Sequence, residues 1–595
     1  MVFGKYINKY YLKYSWMILL GLAALIIVDV MQLKIPELYR MVVNGMNDGV
    51  VEVDGVMKTF DIDFLLDQIC RPMLFVILGM VVGRFLWRVG FFGASLRVEA
   101  DLRDEMFDHA KDLSQQYYQV NKVGNLMSLF TNDLQTIEEC FGGGILTLAD
   151  AVVLGLMSFY KMIRMDVRMT LFSLIPMVFM FLAALIVGFR IDKKWEERQA
   201  AFSALSDYSQ ESFTGIAVIK AFAKEVKDLH EFRKLNQHNE VVNVQFIRLI
   251  MIMEISIMLF IETVTCVIIG YGGYLVHEGR FNAGQLIEFI GYFTTVVWPI
   301  QAIAFLIQDT ARGRASAKRI GELLDAKVDV VDEPAKITEE HPDIHGAIEF
   351  KNLDFVYPDG KVEVLHDVSF KINAGESVGL IGRTGSGKTS IVDLITRTYN
   401  VPDNTIFIDG IDVNTIPIKE LRNHIAYVPQ DNFLFSDTIS NNIAFAFDND
   451  DDMRSIERAA TLAGVNKNID EFPEKYKTVL GERGVTVSGG QKQRISIARA
   501  LMKNAEILIL DDSVSAVDTK TERVIIENLH ETRKGKTTIL IAHRISTVEG
   551  MDKIIFLDDG KVLAVGTHKE LLETCKPYAE LVEMQRLEDE RKERE

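Results

Sequence analysis

The chain has 595 residues, room for several domains, and its 48% hydrophobic content with a mean hydropathy of +0.13 is high for a protein surrounded by water throughout. A formal net charge of −18 argues against nucleic acid as a partner of the chain as a whole. Four scattered cysteines, Cys70, Cys140, Cys266 and Cys575, have neither metal-ligand spacing nor a disulfide framework and read as buried or incidental thiols.

In chain order, residues 1–14 place Lys5, Lys9 and Lys13 among aromatics and predict an amphipathic elbow helix on the inner membrane face. No small-residue cleavage site follows the apolar run, which argues against a signal peptide. A membrane span needs about 20 mostly apolar residues. Six segments between 15 and 320 qualify: Trp16–Leu33, Pro72–Phe92, Gly142–Met162, Met169–Phe189, Phe246–Val276 and Gly284–Ile307. An even count puts both chain ends on one side of the membrane. The acidic stretch Pro36–Arg71 then reads as an external loop. Lys161, Arg164 and Arg168 disagree with this topology, since they fall on a short external connection. The stretches Arg88–Lys122 and Arg190–Lys234 carry more basic residues and keep the six-span reading.

Two long polar helical stretches, Ser95–Glu139 and Arg190–Gln245, continue beyond the membrane. Tyr117–Val123 and Glu211–Ala217 are candidate turns that would touch a soluble domain. Asp29, Arg84, Asp150, Glu254, Glu262 and Glu288 lie inside spans, where a charged group faces a bundle interior, a wet cavity or a partner. Two readings stay open for them: an acid-lined path for cationic or amphiphilic cargo, or pairing between helices. The methionines of spans three to five (Met157, Met177, Met180, Met251, Met253, Met258) read as packing before they read as a binding surface.

After a linker over 321–346 the pattern becomes that of an α/β domain, 347–585, with a charged tail, 586–595. Strand Ser377–Ile381 leads into Gly382-Arg383-Thr384-Gly385-Ser386-Gly387-Lys388-Thr389 and, from Ser390, an apolar-periodic helix. Strand, glycine-rich loop and helix is the context of a phosphate-binding loop, whose amides close around anions at a helix N-terminus. Lys388 is predicted to reach the β- and γ-phosphates and Thr389 to bind Mg²⁺. Ile507-Leu508-Ile509-Leu510-Asp511 supplies a second Mg²⁺ carboxylate at a strand end. Between them, Val487-Ser488-Gly489-Gly490-Gln491 builds a second anion-binding helix start. One nucleotide hardly needs two such cradles, so this one is read as serving a nucleotide held by another subunit.

These motifs together resemble an ATP-binding-cassette exporter half-transporter: six helical spans fused to one α/β P-loop nucleotide-binding domain. The resemblance covers essentially the whole chain and most closely suits the degenerate-site subunit of heterodimeric bacterial multidrug exporters. It implies ATP and Mg²⁺ as cofactors, with Tyr357 stacking on adenine and Gln430 contacting Mg²⁺ and water. It further implies His543 at the γ-phosphate and Asp518 in the D-loop Ser515-Ala516-Val517-Asp518. Gly481-Glu482-Arg483-Gly484 resembles the exporter X-loop. Gly124-Asn125-Leu126-Met127 with Thr131-Asn132-Asp133, and Glu211–Glu225, resemble the two intracellular loops.

The departure is Asp512, where the family has the glutamate that orients the attacking water. Shortening that side chain withdraws its carboxylate by about 1.5 Å. A misplacement of about 1 Å can lower a rate on the order of a hundredfold. The chain's own site is therefore expected to bind ATP and hydrolyse it slowly, while Ser488–Gln491 completes the site of a second half-transporter. A slow homodimer and an ATP-gated regulator remain alternatives. The cargo is not legible, and no peptidase domain is expected before the first span.

Overall fold

The computed structural model describes residues 4–594 apart from 54, 338–341, 359, 448–451, 482–483, 485 and 516, and omits the side chains of 177, 179–189, 192, 304, 589–590 and 592–594. The described residues form two compact units: residues 1–108 with 127–325, and residues 109–126 with 326–595.

The first unit is helical. Five helical segments among the described residues are long and apolar enough to cross a membrane, and Val167–Pro176 begins a sixth apolar stretch. Most side chains of the expected span Met169–Phe189 lie outside the described residues, although its backbone is continuous in the helix Val167–Thr214. Helix Glu225–His277 has 53 residues and so runs about 80 Å, far more than the roughly 30 Å of a hydrocarbon core. The long polar extensions expected from the sequence are therefore present. Helix Val167–Thr214 packs along this helix, and Leu134–Met165 along Ala283–Leu324.

The first span does not stop at Leu33. A second helix, Lys34–Asp48, follows directly, and the antiparallel hairpin β1 (Val50–Val53) and β2 (Val56–Thr59) comes next. Val51, Phe64 and Ile69 give this segment a small core of its own, so the acidic stretch is an ordered cap and not a loop. Helices Ser15–Gln32 and Arg71–Asp112 approach closely at Gly21 and Gly90. A Cβ added at Gly90 would sit 2.7 Å from the Gly21 Cα, an approach that small residues alone allow.

Polar pairing accounts for much of the charge in these helices. Glu288 is buried, accepts from Arg40 Nη1 at 2.9 Å and from the Tyr292 hydroxyl at 2.9 Å, and so has an interhelical structural role. Lys161, which disturbed the topology argument, donates to Glu37 Oε1 at 2.6 Å. A lysine neutralised in this way carries little weight in a rule that counts basic residues. The elbow helix, Lys5–Lys13, buries Ile7 and Tyr10, while Lys5, Lys9 and Lys13 pair in turn with Asp325, Glu105 and Asp101. Its three lysines, spaced by four residues, thus clip onto carboxylates of the helical unit.

The second unit carries two sheets. One is antiparallel in its main part, with order β4 (Glu363–Ile372), β3 (Ile348–Val356), β6 (Ile406–Ile408), β7 (Ile411–Asp412). The other has order β12 (Lys561–Gly566), β11 (Lys553–Asp558), β5 (Ser377–Gly382), β10 (Thr537–Ala542), β9 (Ile507–Asp511), β8 (Ile425–Val428). Strands β11, β5, β10, β9 and β8 are all parallel, and β9 and β10 are buried along their whole length, as the unbroken apolar runs require. The helix Lys576–Arg594 takes in most of the expected charged tail.

Residues 109–126 come from the polypeptide of the helical half yet fold with this unit. Their helix Gln115–Val120 falls on the first candidate turn, and the Tyr399 hydroxyl donates to Gln119 Oε1 at 2.8 Å. The second turn becomes the short helix Ile216–Ala221 of the first unit.

Candidate functional site

Parallel strands bring their carboxyl ends to one edge of a sheet, where ligands bind in open α/β folds. Here β10 lies between β5 and β9, with Ile541 aligned to both Leu380 and Asp511. The loop after β5, the end of β9 and the residues after β10 therefore meet: the glycine-rich loop, Asp511-Asp512 and His543.

The loop closes on itself through Lys388, whose buried ammonium donates to the carbonyls of Gly382 and Arg383 at 2.9 Å each. Gly387 caps the helix Lys388–Ile395 with φ +94° and no side-chain acceptor, so its first amides keep their donors. The Ser386 hydroxyl, buried in the same loop, has no hydrogen-bond partner. An anion-shaped cradle with an unsatisfied donor fits the phosphates of a nucleotide. A Cβ at Gly387 would meet Leu365 Cδ2 at 2.6 Å in a backbone region that L-residues avoid. Gly387→Ala is therefore expected to lower stability by about 1–3 kcal/mol and to weaken nucleotide binding. Thermal unfolding with and without MgATP would show both.

Thr389 Oγ1 donates to Asp511 Oδ2 at 2.9 Å, which puts a hydroxyl and a carboxylate side by side as the hard oxygen donors that Mg²⁺ prefers. Burial pushes the Asp511 carboxyl above its ordinary range, opposed by the Thr389 hydrogen bond and the charges of Lys388 and His543. Burial likewise lowers Lys388, opposed by Asp511 and Asp512.

Asp512 sits at φ 46°, in the left-handed region where Asp is tolerated better than most residues. Its amide donates to the Ile541 carbonyl at 3.0 Å, and its own carbonyl accepts from Ser515 Oγ at 2.9 Å. The Tyr357 hydroxyl hydrogen-bonds Ser390 Oγ at 2.8 Å, and its ring meets Tyr399 edge-on at 5.0 Å. Gln430 and His543 are exposed, and the His543 carbonyl accepts from Gln585 Nε2 at 2.7 Å.

The structure adds two groups that no motif singled out. Asp393, on the helix after the loop, is pushed up to about 6 by burial and by the charge of Asp511. Tyr427, on β8, is raised by burial and by the charges of Asp511 and Asp393. Spacing alone carried no signal for Asp393; Tyr427 stands three residues before Gln430, inside a segment read for the glutamine alone.

The second cradle stands apart from this cluster in construction. Ser488 and Gln491 form a reciprocal capping box on the helix Gly489–Lys503: Ser488 Oγ accepts from the Gln491 amide at 3.3 Å, and Gln491 Oε1 accepts from the Ser488 amide at 2.9 Å. The Gln491 side chain is thus turned back onto its own backbone. Gly489 and Gly490 open the helix, and Val487 is buried in the core, where an apolar residue is all that packing demands. Asp518 caps the helix Thr519–Thr532, accepting from the Thr521 amide at 3.0 Å. Glu482 and Arg483 of the expected X-loop and Ala516 of the D-loop lie outside the described residues.

Residues 365–515 match the ABC transporter family and residues 18–300 the ABC transporter transmembrane region. The chain is 36% identical over 587 residues to the probable multidrug resistance ABC transporter ATP-binding/permease protein YheI of Bacillus subtilis (strain 168), covering 98% of this chain and 97% of that one. It is 35% identical over 582 residues to the multidrug resistance-like ATP-binding protein MdlA of Escherichia coli (strain K12), covering 98% and 96%. In fold it is similar to a bacterial Atm1-family ABC exporter solved with ATP bound, with a TM-score of 0.76 at 24% identity over 97% of this chain and 98% of that one.

Proposed function

This chain belongs to the ABC transporter family, and from that membership we propose that it is the degenerate-site subunit of a heterodimeric exporter. ATP binding and hydrolysis drive a hydrophobic or amphiphilic compound across the cell membrane, with the N-terminus and the nucleotide-binding domain in the cytoplasm. The relatives named for multidrug resistance support the cargo class.

In this reading Tyr357 carries the adenine, and the loop from Gly382 to Ser390 cradles the phosphates, with Lys388 on the β- and γ-phosphates. Thr389, Asp511 and Gln430 hold Mg²⁺, whose charge when bound offsets that of the phosphate oxygens. His543 contacts the γ-phosphate, and Asp512 stands at the attacking water with a carboxylate one bond short. Ser488, Gly489, Gly490 and Gln491, with Asp518, face the nucleotide of the other subunit. The observation that carries the reading is the contrast between Asp512 and a sound Ser488–Gln491 cradle on one chain.

A second subunit also suits the surface. Phe213, Val218 and Phe222, around the tip of the long helical hairpin, are exposed with large apolar side chains, an arrangement that invites a covering partner. The test is reconstitution: this chain alone, and this chain with a half-transporter that carries glutamate after its own strand-end aspartate, assayed for phosphate release and for uptake into inverted vesicles. Only the mixture is expected to turn over substantially. Full activity from this chain alone would overturn the proposal.

A further inference from the structure

The helix Lys576–Arg594 enters the core of the second unit along one stripe. Tyr578 is fully buried, meets the Phe556 ring edge-on at 5.6 Å and shares a hydrogen bond of 2.8 Å with His568 Nδ1. Leu581 and Val582, three and four positions on, pack partly buried against the same core. The helical period brings position 585 next onto this face. Packing alone would ask for an apolar side chain there, and the chain has Gln585, half-buried.

The glutamine amide is turned onto the segment that follows β10. Gln585 Nε2 donates to the His543 carbonyl at 2.7 Å, and Gln585 Oε1 accepts from the Ile545 amide at 2.8 Å. One planar group thus spans Arg544 and fixes the peptides on either side of it. The sheet holds β10 as far as Ala542, and buried Ile545 and Val548 seat the helix Ile545–Val548. Between these two anchorages lie His543 and Arg544, both exposed. The Ile545 amide opens its helix and so has no preceding turn to receive it. On the other side the segment is tied to Glu522, buried on the helix that Asp518 caps, which accepts from Thr547 Oγ1 and stands 3.8 Å from Arg544 Nη1. Those tethers act on residues beyond the histidine. The hydrogen bond on the His543 carbonyl itself comes from Gln585.

We propose that Gln585 is a positioning residue for His543: through one side-chain amide, the helix Lys576–Arg594 sets where the imidazole stands over a bound nucleotide. The proposal rests on the reading that His543 contacts the γ-phosphate. Placement of this kind is sensitive, since errors of about 1 Å are felt at a reacting centre. One consequence separates it from general support of the fold. In that reading the imidazole meets the γ-phosphate and no other part of the nucleotide. Loosening its peptide should therefore weaken a nucleotide that carries a γ-phosphate and spare one that lacks it.

The experiment measures equilibrium binding of magnesium adenylyl imidodiphosphate, a non-hydrolysable ATP analogue, and of MgADP to the full chain in phosphatidylcholine nanodiscs. Gln585→Met keeps the length of the side chain and removes both hydrogen bonds. It is expected to weaken the analogue by about fivefold to tenfold and to leave MgADP within about twofold. Gln585→Glu keeps the acceptor for Ile545, sets an oxygen against the His543 carbonyl, and should do the same. His543→Ala should show a similar loss, and adding Gln585→Met to it should cost nothing further, since one acts through the other. Equal loss of both nucleotides in the Gln585 variants, or additive losses in the double variant, would make Gln585 a support of the fold and overturn the proposal. So would unchanged analogue binding in Gln585→Met where His543→Ala has lost it, with the γ-phosphate reading left standing. If His543→Ala itself binds the analogue as the parent does, that reading fails and the proposal with it. Should Gln585→Met not fold, Gln585→Glu decides by the same comparison.

Discussion

Replacing Asp512 by glutamate is expected to raise phosphate release from this chain's own nucleotide site by about tenfold to a hundredfold. The backbone at this position is pinned on both sides, by the amide bond to Ile541 and by the Ser515 hydroxyl on its carbonyl. The substitution therefore moves the carboxylate outward from a fixed origin by about 1.5 Å and changes little else. It carries one opposing cost. At φ 46° aspartate is better accommodated than glutamate, so the longer side chain gives up on the order of 1 kcal/mol of local stability. A rate gain of the expected size exceeds that cost. The measurement pairs the variant with a partner whose own catalytic glutamate has been changed to glutamine, so that any phosphate released comes from this chain's site. Turnover that stays at the level of the parent pair would mean that the short carboxylate is not what limits hydrolysis.

The complementary result concerns Ser488. Ser488→Arg is expected to lower phosphate release by the assembled pair by about a hundredfold or more, the scale on which single oxyanion donors act. MgATP binding to this chain's own phosphate loop should stay intact. Asp512→Asn, by contrast, is expected to leave turnover by the pair within about twofold, because in the proposed asymmetry the short carboxylate contributes little. The two variants together measure the division of labour. If Asp512→Asn proved as damaging as Ser488→Arg, the chain's own site would be the working one and the proposed asymmetry would be reversed.

The phosphate loop, the strand-end aspartate and the parallel sheet that joins them were legible because each lies in a short contiguous segment whose period and glycine spacing have a local physical cause. What escaped was long-range. Asp29 and Asp150 are far apart in sequence, and nothing local to either tells that they meet at one cavity wall. Glu288 looked equally available until Arg40 and Tyr292 were found on it. Acidic residues dominate the cap formed by Lys34–Asp48 and its hairpin and give it the composition of a loop, although Val51, Phe64 and Ile69 suffice to order it. The capping box at Ser488 was written in the sequence as serine followed three residues later by glutamine. It went unread because both residues had already been given to a distant phosphate.

One feature of the second unit bears on which part of a nucleotide is felt, and where. The ring of Tyr357 touches that of Tyr399 edge-on at 5.0 Å, and the Tyr399 hydroxyl holds Gln119 at 2.8 Å. Gln119 belongs to the short segment that the helical half lends to this unit. A base laid on Tyr357 would stand two side chains away from that segment, whereas the phosphate loop has its anchorage in Gly382, Arg383 and Asp511. Tyr357 also hydrogen-bonds Ser390 at the end of that loop, so base and phosphates share one neighbour there, while the segment around Gln119 is reached from the side of Tyr357. Inorganic triphosphate would occupy the loop and leave the ring of Tyr357 uncovered, so a signal that reaches Gln119 through Tyr399 is expected to need the base and to outlast loss of the γ-phosphate.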